Sequence, residues 1–152
     1  MAEKKSKVPM IFLIFIVAAI AYYLVAGDEE KQQAPDYSGI ETASSTVLSN
    51  IKNGIRKDSG VKVSNCYTSE KDATRNAVYV ACKMKGPGVD NLVGVWAFTG
   101  KKSSPGLHMS VNAEAKSVSE YPDSSKTKLN LSATDYNARL VKNYVEKEIY
   151  KK

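Results

Sequence analysis

The hydrophobic pattern of the chain begins with one unbroken apolar run. Residues 9–26 contain no charged and no strongly polar side chain, and Val8 and Gly27 extend the run by one residue at each end. As a helix rising 1.5 Å per residue, the run is roughly 27 Å long, close to the ~30 Å core of a bilayer. We therefore predict a transmembrane signal-anchor over residues 8–27, which contacts membrane lipid.

The charges on either side of this run indicate its direction in the membrane. Lys4, Lys5 and Lys7 precede it, whereas an acidic cluster at residues 28–30 follows it. Positive flanks remain on the cytoplasmic side of a membrane. The predicted topology is thus a single-pass protein with residues 1–7 in the cytoplasm and the C-terminal domain in the periplasm or outside the cell.

Two other interpretations of the apolar run stay open. Ala19 and Ala21 form an A-x-A site of the kind that signal peptidase cleaves, which would give a secreted or periplasmic soluble protein. Cleavage there would leave the apolar residues 22–26 at the new N-terminus. The run could also be a buried helix of a soluble protein, although such helices seldom need so long an apolar stretch.

Beyond a polar linker at residues 28–37, the pattern indicates one domain over residues 38–152. Residues 38–57 have apolar positions at helical spacing, and Ser38 with Glu41 matches a capping box. A second amphipathic helix is predicted over residues 133–150.

Between these helices the period of the pattern changes from helical to two. Alternating or fully apolar segments predict four strands joined by short loops, which favours an antiparallel meander. The two helices would cover one face of this sheet. The predicted fold class is α+β, a two-layer domain in the order helix, four-stranded antiparallel meander, helix. The predicted strands cover residues 61–67, 78–84, 92–98 and 107–115.

Cys66 and Cys82 are the two cysteines of the chain. A hairpin centred near Thr74 places them opposite each other, where Cβ atoms lie close enough for a bridge. An even cysteine count outside the cytoplasm favours a disulfide. Two buried free thiols are the alternative.

The formal net charge is +6, with basic residues concentrated near the C-terminus but interspersed with acidic ones. This pattern is typical of a solvated surface, and no arginine run or glycine-rich basic loop indicates nucleic-acid binding. A single histidine makes a zinc or copper site improbable. No phosphate-binding, dinucleotide-binding or nucleophile-elbow motif occurs, so we expect no cofactor, no metal and no catalytic residue.

His108, Ser110 and Asn112 share the predicted outward face of the last strand and are the weak surface candidates of the chain. A histidine-dependent hydrolase would have to use His108 as its base. No nucleophile or pocket beside it is evident from the sequence, so an exposed strand histidine is the favoured interpretation.

Together these features predict a membrane-anchored, extracytoplasmic accessory or binding domain of a cell envelope that is non-enzymatic. Its partner would be an envelope protein. The sequence leaves open the identity of that partner and the oligomeric state of the chain. A soluble protein released near Ala21 and a small His108-dependent hydrolase are the alternatives. The layout resembles that of many envelope accessory proteins at the level of architecture alone.

Overall fold

A computed structural model describes residues 34–151 of the chain. They contain an antiparallel sheet in which each strand pairs with the next along the chain. The α+β class and the antiparallel meander are confirmed, and a two-residue edge strand makes the sheet five-stranded. The strands are β1 (Glu41–Thr42), β2 (Lys62–Asp72), β3 (Ala77–Lys85), β4 (Val93–Lys101) and β5 (Ser104–Ser110).

Three α-helices accompany the sheet: α1 (Ser45–Asn53), α2 (Ala113–Val118) and α3 (Tyr136–Tyr150). None of the helices in residues 34–151 is long and apolar enough to cross a bilayer. The predicted signal-anchor over residues 8–27 lies outside the described residues, as do the predicted cytoplasmic N-terminus and most of the linker.

The predicted hairpin and its disulfide are confirmed. β2 and β3 are joined through a turn at residues 73–76, and Cys66 is the direct cross-strand partner of Cys82. Their sulfur atoms are bonded, and both side chains are buried in the core beneath α1. The alternative of two free thiols is thereby excluded.

The predicted two-layer arrangement is wrong, because helices cover both faces of the sheet. On one face, Val47 and Ile51 of α1 and Ala115 of α2 pack against alternate residues of β3 and β4. On the other face, α3 packs against the intervening residues of these strands. β4, predicted as a central strand because both of its faces are apolar, is buried on both sides.

The first helix is shorter than predicted. It begins at Ser45, and its N-cap is Ser44, whose side chain accepts a hydrogen bond from the Val47 amide at 3.3 Å. The predicted capping box at Ser38 does not form, because the chain first pairs with β2 as β1. The helix ends at Gly54, where an added Cβ would lie 2.1 Å from the Tyr121 ring.

The last predicted strand is also too long. β5 ends at Ser110, and Asn112 begins α2 by accepting a hydrogen bond from the Ala115 amide at 3.1 Å. The alternating pattern therefore continues past the strand into a helix that the sequence did not predict. The final helix begins three residues later than expected, at Tyr136.

Candidate functional site

The three weak candidates on β5 are buried, not exposed as predicted. His108 has 7% of its surface accessible, Ser110 has none and Asn112 has 5%. The reason for the error is that the sheet has no uncovered face. The chain after α2 returns across the end of β5, where the Ser110 amide donates to the Pro122 carbonyl at 2.9 Å.

The imidazole of His108 lies between two aromatic rings. Its centroid is 5.5 Å from that of Phe98 and 5.3 Å from that of Tyr121, and the Tyr121 ring is stacked on it. Burial lowers the pKa of His108, because a charged ring would lose its solvation. The neutral ring is therefore the form that this environment stabilises at pH 7.

This environment gives no support to a catalytic His108. Its Nε2 atom is buried and has no hydrogen-bond partner among residues 34–151. The Ser110 hydroxyl donates to the Tyr121 carbonyl at 3.4 Å and is thus directed elsewhere. A general base needs a nucleophile within hydrogen-bond reach, and the described structure brings none to this ring. The hydrolase hypothesis remains a prediction without geometric support.

Asn112 holds the end of the sheet together. Its Oδ1 atom accepts from the Val95 amide at 2.8 Å as well as from Ala115, and its Nδ2 donates to the Val93 carbonyl at 2.8 Å. The side chain thus satisfies backbone groups of β4 that a longer β5 would otherwise pair. Asn112 acts as a structural bridge and presents no polar group to a ligand.

The sequence did not predict a partly buried polar network formed by Tyr79, Asp135 and Arg75. The Tyr79 hydroxyl donates to Asp135 Oδ2 at 2.5 Å, and Arg75 lies 3.5 Å from Asp135 Oδ1. The pKa of Tyr79 is raised well above its ordinary value, mainly by burial and then by the hydrogen bond to Asp135. Because Asp135 is the N-cap residue of α3, this network fastens that helix to the hairpin.

Within residues 34–151, no group of three or more His, Cys, Asp or Glu side chains could hold a metal ion.

A surface groove lies beside β2, between the end of α1 and the beginning of the strand. It encloses about 300 Å³, near the lower limit of the range typical of small-molecule sites. Its apolar wall consists of branched aliphatic residues, and Lys52 is an exposed residue in the last turn of α1. The lining residues are Lys52, Ile55, Val61, Lys62 and Val63.

The groove adjoins a free stretch of sheet edge. β1 pairs with β2 at Tyr67 and Thr68, and Ala43 donates to the Cys66 carbonyl at 2.9 Å. The chain then leaves the strand to begin α1. Along residues 62–65, the backbone groups that point away from β3 have no backbone partner within residues 34–151. Unpaired edge groups can pair with another extended chain.

A second, smaller cavity of about 170 Å³ lies near the beginning of α3. Its lining includes two carboxylates, Asp36 and Glu70, and the side of Tyr136. Tyr136 is 63% exposed. The cavity is well below the usual size of a ligand site, so the groove beside β2 is the stronger candidate.

The sequence did not identify this groove. Lys62 and Val63 were correctly predicted to lie in a strand, which begins one residue later than expected, after Val61. The groove, however, depends on where β1 stops and where α1 ends. An alternating segment such as residues 61–63 does not show whether its edge is paired. Comparison of the chain with protein families, with curated proteins and with solved structures finds no match.

Proposed function

We propose that this protein is a membrane-tethered, extracytoplasmic domain of a cell envelope that acts by binding another protein and not by catalysis. The observation that carries the binding role is the groove beside the free edge of β2. It is the place in the described structure where unpaired backbone groups, aliphatic surface and positive charge occur together.

The disulfide supports the proposed compartment. Structural disulfides persist in oxidising compartments and are rare in the cytosol. The Cys66–Cys82 bond therefore agrees with the outward orientation predicted from the charges around residues 8–27. Tethering would confine both partners to a thin layer, so that a short binding segment can suffice.

The buried state of the polar candidates supports a non-catalytic role. His108 is the single histidine of the chain, and it is enclosed by aromatic rings. Ser110 and Asn112 are committed to backbone hydrogen bonds. These residues stabilise the fold, which leaves the surface as the working part of the domain.

The experiment combines topology with residue-specific crosslinking in intact cells. A reporter active only outside the cytoplasm, fused after Lys152, should be active. A photo-crosslinking amino acid at position 62 should give a discrete adduct, whereas the same group at the exposed position 128, in a distant loop, should not. A reporter active only in the cytosol would overturn the proposed location. Equal adducts from both positions, or turnover of a substrate by the purified chain, would overturn the binding role.

The soluble alternative is favoured by one sequence feature, the A-x-A site that ends at Ala21. Intact mass spectrometry of the protein from membranes and from the surrounding medium distinguishes the two. Tethered protein retains the mass of residues 1–21, and released protein lacks it.

A further inference from the structure

The unpaired part of β2 has aliphatic side chains on one face of the sheet and a lysine on the opposite face. Val61 and Val63 point towards the core beneath α1, and strand alternation places Lys62 on the opposite face. Val63 is buried, Val61 is partly buried and Lys62 is exposed. A strand added here would meet aliphatic surface on one face and an ammonium group on the other.

The positive charge at this edge is not neutralised within the described structure. Lys62 is the direct cross-strand partner of Lys85, and like charges in opposed positions destabilise a sheet. Lys52 adds a third charge from the last turn of α1. None of the three forms an ion pair with a carboxylate of residues 34–151. A ligand with a carboxylate beside Lys62 would relieve this repulsion.

The free stretch is bounded at one end by a bulge and by the end of β1. The strand register shifts between Ser64 and Cys66, and Asn65 has a positive φ of 47°. From Cys66 onwards the edge is occupied: the Cys66 carbonyl accepts from Ala43, just after β1, and β1 pairs with the next two residues of β2. An added segment would therefore continue the line of β1 for about four residues, where β1 itself leaves the sheet.

The opposite edge of the sheet is less open to strand addition. β5 contains Pro105, which lacks a donor, and Ser110 is already bonded to Pro122. Proline on an edge strand is a common protection against pairing with other chains. Residues 62–65 contain no proline, so pairing is favoured at β2.

We propose that residues 62–65 of β2 bind an extended acidic segment of a partner protein, which adds to the sheet as a further strand. In that segment a carboxylate lies near Lys62, and aliphatic side chains on either side of it enter the groove beside Val61 and Val63. Main-chain hydrogen bonds supply affinity, and the alternation of side chains supplies specificity. The inference rests on the proposed binding function and specifies its ligand.

A fluorescence anisotropy assay on the full chain in nonionic detergent tests this proposal. The probe is a fluorescein-labelled heptapeptide of alternating valine and glutamate, and its counterpart has lysine in place of glutamate. The glutamate peptide should bind, and more weakly at high salt because ionic screening weakens the attraction. Methylation of one alternate set of its amides should abolish binding, while methylation of the other set should leave it unchanged, as strand addition requires.

Lys62→Glu and Lys52→Glu should each weaken binding of the glutamate peptide about fivefold, since each converts an attraction into a repulsion. The matched control Lys128→Glu makes the same charge change on an exposed loop and should leave binding unchanged. Circular dichroism of each variant verifies that the fold is retained.

Equal binding of the two peptides, or equal effects of the three variants, would overturn the acidic-strand proposal. Self-association of the full chain that Lys62→Glu abolishes would also overturn it, because the occupant would be a second copy. A crosslink from position 62 in cells, with no peptide binding, would leave the general binding function standing and reject this ligand. Absence of both would reject the two together.

Discussion

The environment of His108 suits a neutral ring and penalises an imidazolium. Two aromatic rings flank it, and its Nε2 atom lacks a partner within the described residues. Burial lowers its pKa in the folded chain, whereas the unfolded chain binds a proton near the ordinary value of about 6.5. Over a pH range below about 6.5, the unfolded chain therefore binds more protons than the folded chain.

We predict that the free energy of unfolding falls as the pH drops through about 6.5, because protons then bind to the unfolded state first. The loss should stop below the folded-state pKa, where both states carry the proton. Above about pH 8, where both states are deprotonated, this residue should contribute no slope. Urea denaturation at closely spaced pH values between about 5.5 and 8 measures the effect, whose slope is at most about 1.4 kcal/mol per pH unit.

His108→Phe keeps an aromatic ring in the stack and should remove the slope in this window. Asp36, Glu41 and Asp123 also have lowered pKa values in the folded chain, mainly because of hydrogen bonds to their carboxylates. Their stabilising contribution is lost as the unfolded carboxyls take up protons near their ordinary values of about 4, which lie below this window. A slope that persists in His108→Phe, or that is absent from the wild-type chain, would contradict the assignment.

The pairing of Cys66 with Cys82 was predictable, whereas the burial of His108 was not. The cysteine pairing depends on two adjacent strands and a short turn, and the alternation of both strands is visible in the sequence. The burial of His108 depends on Tyr121, which reaches the ring after the chain has formed α2 and reversed. Alternation reports which residues share a face, but it does not report what later covers that face.

At the scale of elements, Asn112 decides where β5 ends and α2 begins. The apolar alternation from Leu107 to Ala115 continues across this boundary and predicts one long strand. The boundary depends on three side-chain hydrogen bonds that Asn112 makes to the backbone of β4 and α2. A six-residue helix is too short to show a helical period, so the sequence pattern alone could not separate the two elements.

We predict that Asn112→Ala lowers the free energy of unfolding by about 3 kcal/mol. The change leaves the Val95 amide and the Val93 carbonyl buried without their partners, and it also removes the N-cap of α2. Urea denaturation measures the loss. Asn143→Ala, at an exposed position on α3, is the matched control and should change stability by less than about 0.5 kcal/mol.

Asn112→Asp distinguishes the hydrogen bonds that Asn112 accepts from the one that it donates. It retains an acceptor for the Val95 and Ala115 amides but replaces the donor that meets the Val93 carbonyl with a second oxygen. It too should destabilise the fold, because a buried carboxylate would then face a carbonyl oxygen. Wild-type stability for either Asn112 variant would show that the bridge contributes little.

At the scale of the whole molecule, the sheet is an inner layer between α1 and α2 on one face and α3 on the other. The sequence contained a signal for this arrangement in β3, where Ala77, Tyr79 and Ala81 are apolar as well as the alternate residues that face α1. A strand that is apolar on both faces is typical of a sheet covered on both sides. The predicted two-layer domain was wrong because it placed both long helices on one face of the sheet, whereas α1 and α3 lie on opposite faces.

The Cys66–Cys82 bond joins β2 to β3 and lies in the core beneath α1. It closes a loop with a sequence separation of 16 residues, which corresponds to about 3 kcal/mol of stabilisation in the chain-entropy estimate. We predict that the Cys66→Ala/Cys82→Ala variant loses about this free energy and remains folded. Urea denaturation of oxidised wild type and of the double variant measures the difference.

Reduced wild-type protein provides the control, because it lacks the cross-link while keeping both cysteines. Its unfolding midpoint should lie close to that of the double variant and below that of the oxidised protein. If reduction leaves the midpoint unchanged, the bond does not stabilise the fold. If it lowers the midpoint as expected, protein made in the reducing cytosol should be less stable than protein exported to an oxidising compartment. Under the proposed topology, the stability of this domain would then depend on the side of the membrane on which it is located.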